Sequence, residues 1–199
     1  MATEQNLPRI YLIRHGETEW SQLGKHTGTT DLPLLPRGET DARNVRPRLE
    51  KIEFSHVFCS PRQRARQTCQ LAGLGDRAVI EPDLAEWDYG DYEGLTSTEI
   101  LAARPTWSIY RDGCPGGESA EQITARADRL CARLARLSGN VAVFSHGHFL
   151  RILTTRWVNW PIENAQNFLL STASISVLAF NHNTRNRPVI ALWNETQQA

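Results

Sequence analysis

The chain has 199 residues, enough for one α/β domain with a sizeable core. Lys+Arg and Asp+Glu balance at 22 each, so no global basic field exists to hold nucleic acid or an anionic membrane. Apolar content of 40% and charged content of 22% are ordinary for a soluble globular protein, and no apolar run reaches the length of a membrane span.

The first ten residues lack the apolar core of a signal peptide, and residues 1–8 read as a loose leader. Cys59, Cys69, Cys114 and Cys131 show no metal-type pairing. Free thiols and a cytoplasmic location are expected. Residues 9–14 form the first strand, apolar on both faces, as suits a central parallel strand covered by helices. It ends in Arg14-His15-Gly16-Glu17. Residues 16–36 form a long polar connection, and loops of that length are usually functional.

Ala42, Val45, Leu49 and Ile52 recur at helical spacing, which predicts a helix over 37–51 that Pro47 would kink or split. A short strand over 56–59 runs into Ser60-Pro61-Arg62-Gln63. Ser60 is expected as the N-cap of the next helix, with Pro61 first and Gln63 closing a capping box. That helix runs to about Ala72. A third strand over 78–81 leads to Glu86-Trp87-Asp88-Tyr89-Gly90, and residues 91–117 form an irregular cover with a short helix over 97–104. A turn at 114–117 precedes an amphipathic helix over 119–137, whose Arg126, Arg129, Arg133 and Arg136 read as a solvated face. A continuous apolar strand over 141–144 ends in Ser145-His146-Gly147-His148, followed by a helix to about 158. Strands over 174–180 and 189–193 close the chain. The alternation predicts a three-layer α/β/α sandwich with a mostly parallel sheet, in a single domain over 1–199.

In a parallel sheet, the polar clusters at the strand ends share one edge. Arg14, Arg64, His15 and His146 converging there make a pocket for a dianion, because guanidinium binds phosphate oxygens through paired hydrogen bonds. Arg64 also lies in the first turn of a helix, where amides favour an anion. The histidines add chemistry. A neutral imidazole can attack phosphorus, and the cations stabilise the charge of the transition state. Glu86 is the candidate acid for the leaving oxygen and the candidate base for water. His146 and His148 could also be metal ligands, but no Asp/Glu-His set completes such a site. His148 reads as structural, and Trp20, Trp87 and Trp107 as packing residues. Lys25 and His26 are placed to meet a distal anionic group.

Residues 12–20, 60–68, 86–90 and 145–148, in this order, resemble the four signature blocks of the histidine phosphatase superfamily, in its phosphoglycerate-mutase-like branch. Trp20-Ser21, His26-Thr27-Gly28 and residues 86–94 look most like its fungal sedoheptulose-1,7-bisphosphatase type. The resemblance implies a phosphoglycerate-mutase-like fold and no metal or other cofactor. It implies His15 as the phosphorylated residue, Arg14, Arg64 and His146 as phosphoryl ligands, and Glu86 as the proton donor. Ser21, Thr27, Gly28, Tyr89 and the Gly147 amide are its implied substrate contacts. The expected activity is hydrolysis of a small phosphorylated metabolite, a sugar phosphate or bisphosphate. The alternatives are a phosphoglycerate-type phosphomutase and, from another class, a non-catalytic phosphate-binding or scaffold module. True mutases usually carry Asn where Ser21 stands, which favours hydrolysis. No nucleic acid or membrane partner is expected, and the sequence is compatible with a monomer or a homo-oligomer.

Overall fold

The computed structural model describes residues 7–182 and 184–196. Six strands form one sheet: β1 (Arg9–Arg14), β2 (Phe54–Cys59), β3 (Val79–Ile80), β4 (Asn140–Ser145), β5 (Ile175–Phe180) and β6 (Pro188–Glu195), in the order β3-β2-β4-β1-β5-β6. β3, β2, β4 and β1 are mutually parallel, and β5 pairs antiparallel with both β1 and β6. Strand alternation sends side chains to two cores. Ile10, Leu12, Val141 and Val143 join the apolar stripe of α6 (Ala120–Leu134) and the buried residues of α7 (Gly147–Trp157). Ile13, Ala142 and Phe144 face Val45 and Leu49 of α2 (Pro36–Leu49) and Ala65 and Cys69 of α3 (Gln63–Leu71). The three-layer sandwich expected from the sequence is therefore present.

Pro47 does not split α2, which runs unbroken from Pro36 to Leu49. Pro47 lies in the last turn, so its missing N–H costs a single bond near a helix end. The cap expected at Ser60 is not made. Ser60 continues the sheet ladder, its amide donating to Phe144 O at 2.9 Å, and α3 starts only at Gln63. Asp31 accepts the Gln63 amide at 2.7 Å, so the orphan donor is satisfied from a distant loop. The long connection holds a short helix, α1 (Glu19–Gln22), with a reciprocal Thr18–Ser21 capping box. The cover segment folds into α4 (Ser97–Ala103) and α5 (Ile109–Asp112), with Ile100, Trp107, Ile109 and Tyr110 buried. Of the leader expected at 1–8, residues 1–6 lie outside the described residues, and Pro8 is buried. All four cysteines are free.

Candidate active site

Register brings the site together. Arg14 pairs with Ser145 across β1 and β4, and Cys59 pairs with Phe144 across β2 and β4. The next residues on β1 and β4, His15 and His146, therefore leave adjacent strands side by side, with Ser60 one residue behind them beside Ser145. The rings of His15 and His146 lie 5.2 Å apart. Close backbone packing fixes His15. A Cβ on Gly16 would lie 2.4 Å from Gly38 O, and one on Gly38 would lie 2.2 Å from Glu17 O. Only two glycines let α2 approach the end of β1 so closely. Gly16 N donates to Thr68 Oγ1 at 3.0 Å, and Thr68 Oγ1 donates to Arg64 O at 2.8 Å, which ties the site to α3.

His15 Nδ1 lies 2.7 Å from Gly16 O. A carbonyl only accepts, so Nδ1 carries the hydrogen and Nε2 keeps its lone pair. Burial, reinforced by the Arg64 and Arg14 guanidiniums, holds the imidazole well below its usual range. His15 is thus a neutral imidazole beside two cations. Burial and the same neighbours do likewise for His146. Arg64 Nε donates to His146 Nδ1 at 3.1 Å, so Nε2 bears the hydrogen and donates to Ser60 Oγ at 2.6 Å. That bond replaces the helix cap expected of Ser60.

Glu86 is buried, and three amides hold its carboxyl. Trp87 N and Phe149 N donate to Oε1 at 3.0 and 2.8 Å, and His148 N donates to Oε2 at 3.0 Å. Two of these amides belong to the first turn of α7, so the start of that helix orients the carboxyl. Arg14 gives one N–H to Leu170 O, while its buried Nε has no partner. An unpaired buried donor beside His15 is a place for an anion.

These groups border a cavity of about 410 Å³ lined by Arg14, His15, Ser21, Lys25, His26, Thr27, Glu86, Tyr89 and Gly147, among others. Gly28, Arg64 and His146 stand behind this wall. Arg64 is fully buried and donates to the carbonyls of Thr27, Gly28 and Thr30 at 2.8, 3.3 and 3.1 Å. Gly28 N donates to Glu93 Oε1 at 2.8 Å, and a Cβ there would lie 2.2 Å from Trp87 O. Gly28 is needed to dock its loop. The Ser21 hydroxyl faces the cavity but donates to Thr18 O at 2.9 Å, within the α1 cap.

Two readings are corrected. His148 is not merely structural: it lines the cavity, its Nδ1 2.6 Å from Tyr89 Oη, with the His26 ring stacked on Tyr89 at 4.6 Å. Arg126 is not solvated. Its side chain is 11% exposed and bonded to the loop before Glu86. It borders the apolar stripe of α6, where helical periodicity alone cannot say which loop lies on top. Finally, the wall includes Ser97 of the expected cover, together with Arg151 and residues 168–170, which the sequence had not suggested. Arg151 sits one helical turn after Gly147 and donates to its carbonyl at 3.1 Å, a spacing that could have revealed it. Residues 168–170 show no periodicity that could. Trp87 and Trp107 are buried packing residues, as expected.

A sheet edge carrying two buried imidazoles, two guanidiniums and an oriented carboxyl holds the groups that phosphoryl transfer requires. Residues 10–196 match the model of the histidine phosphatase superfamily, branch 1. The chain is 44% identical to an acid phosphatase of Mycobacterium tuberculosis over 193 residues, covering 95% of each. It is 34% identical to sedoheptulose 1,7-bisphosphatase of Saccharomyces cerevisiae, covering 93% of this chain and 92% of that one. The solved structure of a Mycobacterium tuberculosis open reading frame superposes with a TM-score of 0.89 at 42% identity, covering 96% of this chain and 98% of that one. The chain belongs to the histidine phosphatase superfamily, as a phosphomonoesterase.

Proposed function

We propose that the enzyme hydrolyses phosphate monoesters of small metabolites, sugar phosphates or bisphosphates, in two steps through a phosphohistidine on His15. The observation that carries this is the Nδ1 bond to Gly16 O, which leaves Nε2 free at the cavity. Nε2 attacks phosphorus and the P–O ester bond breaks. Arg14 and the Gly147 amide, which border the cavity, hold the equatorial oxygens, where charge spreads in the transition state, and Arg64 and His146 join them by exchanging their bonds to Thr27, Gly28, Thr30 and Ser60 for phosphoryl oxygens. Glu86 gives its proton to the leaving oxygen. The Glu86 carboxylate then takes a proton from water, the resulting hydroxide attacks phosphorus, and the P–N bond breaks. Phosphate leaves, His15 is neutral again and Glu86 is reprotonated. No metal enters the sequence of steps. Among the described residues no cluster of three or more His, Cys, Asp or Glu could hold one.

The rest of the substrate occupies the remainder of the cavity, whose Ser97, His26, His148 and Tyr89 suit hydroxyls and whose Lys25 and Arg151 suit anionic groups. The free thiols favour a reducing compartment, and we assign the enzyme to the cytoplasm. Phosphate release across a panel of sugar phosphates and bisphosphates, with and without EDTA, tests the reading. Turnover that EDTA leaves unchanged is expected, with 3-phosphoglycerate and 2,3-bisphosphoglycerate yielding phosphate rather than an isomerised ester. Metal-dependent turnover, or isomerisation without phosphate release, would overturn it.

A further inference from the structure

The loop that carries Glu86 is clamped from the side opposite the cavity. Arg126 uses all its guanidinium hydrogens. Nη1 donates to Asp83 O at 2.8 Å and Ala85 O at 2.7 Å. Nη2 donates to Glu86 O at 3.4 Å and to Glu118 Oε2 at 2.7 Å, while Nε donates to Glu118 Oε1 at 3.0 Å. The main chain of Glu118 grips the same loop further on: its carbonyl accepts from Trp87 Nε1 at 2.8 Å, and its amide donates to Asp88 O at 2.9 Å. The guanidinium also stacks 4.4 Å from the Phe149 ring, and Phe149 supplies one of the amides on the Glu86 carboxyl. Residues 83–88 and the start of α7 are therefore fixed relative to each other by one ion pair. Arg126 and Glu118 touch neither His15 nor the cavity that holds it.

The geometry points to Arg126, paired with Glu118, as the residue that positions Glu86 for proton transfer to the leaving oxygen; this rests on the assignment of Glu86 as the acid. A bidentate guanidinium has the donor count for this work, and lysine does not. Positioning matters because a displaced acid no longer reaches the leaving oxygen in the transition state.

Leaving groups of different basicity separate this role from a structural one. p-Nitrophenolate leaves without a proton, whereas the alkoxide of glycerol phosphate needs one. In Arg126→Met and Glu118→Gln, kcat/KM for glycerol phosphate should fall roughly 10- to 100-fold, a part of what acid catalysis contributes. For p-nitrophenyl phosphate kcat/KM, which reports phosphorylation of His15 and not the hydrolysis step common to both esters, should stay within about 3-fold. Adding Arg126→Met to Glu86→Gln should cost nothing more, because the acid it positions is already absent. Equal losses for both esters, or a loss that multiplies in the Glu86→Gln background, would overturn the proposal. Should Glu86→Gln itself slow both esters equally, the acid assignment fails instead. If Arg126→Met does not fold, Arg126→Lys and Glu118→Gln carry the same comparison.

Discussion

Two local facts coincide at His15, the nucleophile of the proposed mechanism. The Gly16 carbonyl fixes its tautomer, and burial beside Arg14 and Arg64 keeps it neutral. The same burial has a thermodynamic consequence at His26, which is stacked on Tyr89 in the cavity wall. Burial pushes His26 down from its ordinary 6.5 to about 4. Above pH 6.5 neither the folded nor the unfolded state is protonated there. As pH falls from 6.5 towards 4, the unfolded chain takes up a proton that the folded one refuses, so stability is lost across that window. The loss from this residue is up to about 3 kcal/mol. Urea denaturation at pH 7.5 and 4.5 should show it, and His26→Phe, which keeps the stack, should lose less. Equal losses in the two proteins would refute the coupling. Single residues were well marked in the sequence where each terminates a strand: Arg14, His15, Ser145 and His146 follow apolar runs directly. Ser60 was misread as a cap because its partner, His146, is 86 positions away. Capping rules see only the next four residues.

Among the elements, the junction of β1, α2 and α3 does most to place the nucleophile. Gly16 and Gly38 stand back to back, and Thr68 ties Gly16 to α3. The neighbours of a new methyl at position 38 would be Glu17 backbone atoms, which cannot swing aside. Gly38→Ala should therefore destabilise the fold by roughly 1–3 kcal/mol through overpacking. It should also lower kcat by moving the exit of β1. A melting temperature and kcat equal to those of the wild type would show that the approach is not needed. Periodicity predicted α2 and α6 because each buries one face of a long segment, while α3 was predicted from its start signal at residues 60–63. Periodicity missed α1, whose four residues bury no stripe, and it misjudged Arg126, whose partners lie on another loop.

At the scale of the whole molecule, function follows from topology. Four parallel strands bring three polar turns to one edge, and α7 begins at that edge with its amides on Glu86. The α/β layering was readable from strands that are apolar on both faces, since only a sheet covered on both sides calls for them. The reversed direction of β5 was not, because alternation reports faces and not polarity. The cavity's far wall escaped for a related reason. Residues 168–170 lie in a loop held by distant donors, Arg14 to Leu170 O and Trp193 Nε1 to Leu169 O. The chemistry was thus legible at strand ends, and the substrate's surroundings were legible only where a motif happened to supply them.

The central claim is a covalent phosphoryl group on His15. Mixing excess enzyme with a substrate radiolabelled in its phosphate, quenching in alkali within milliseconds and mapping the label tests it directly. The account predicts an alkali-stable, acid-labile label on the peptide containing His15, absent in His15→Ala together with all turnover. A His15→Ala protein that still turns over, or a label on another residue, would contradict it.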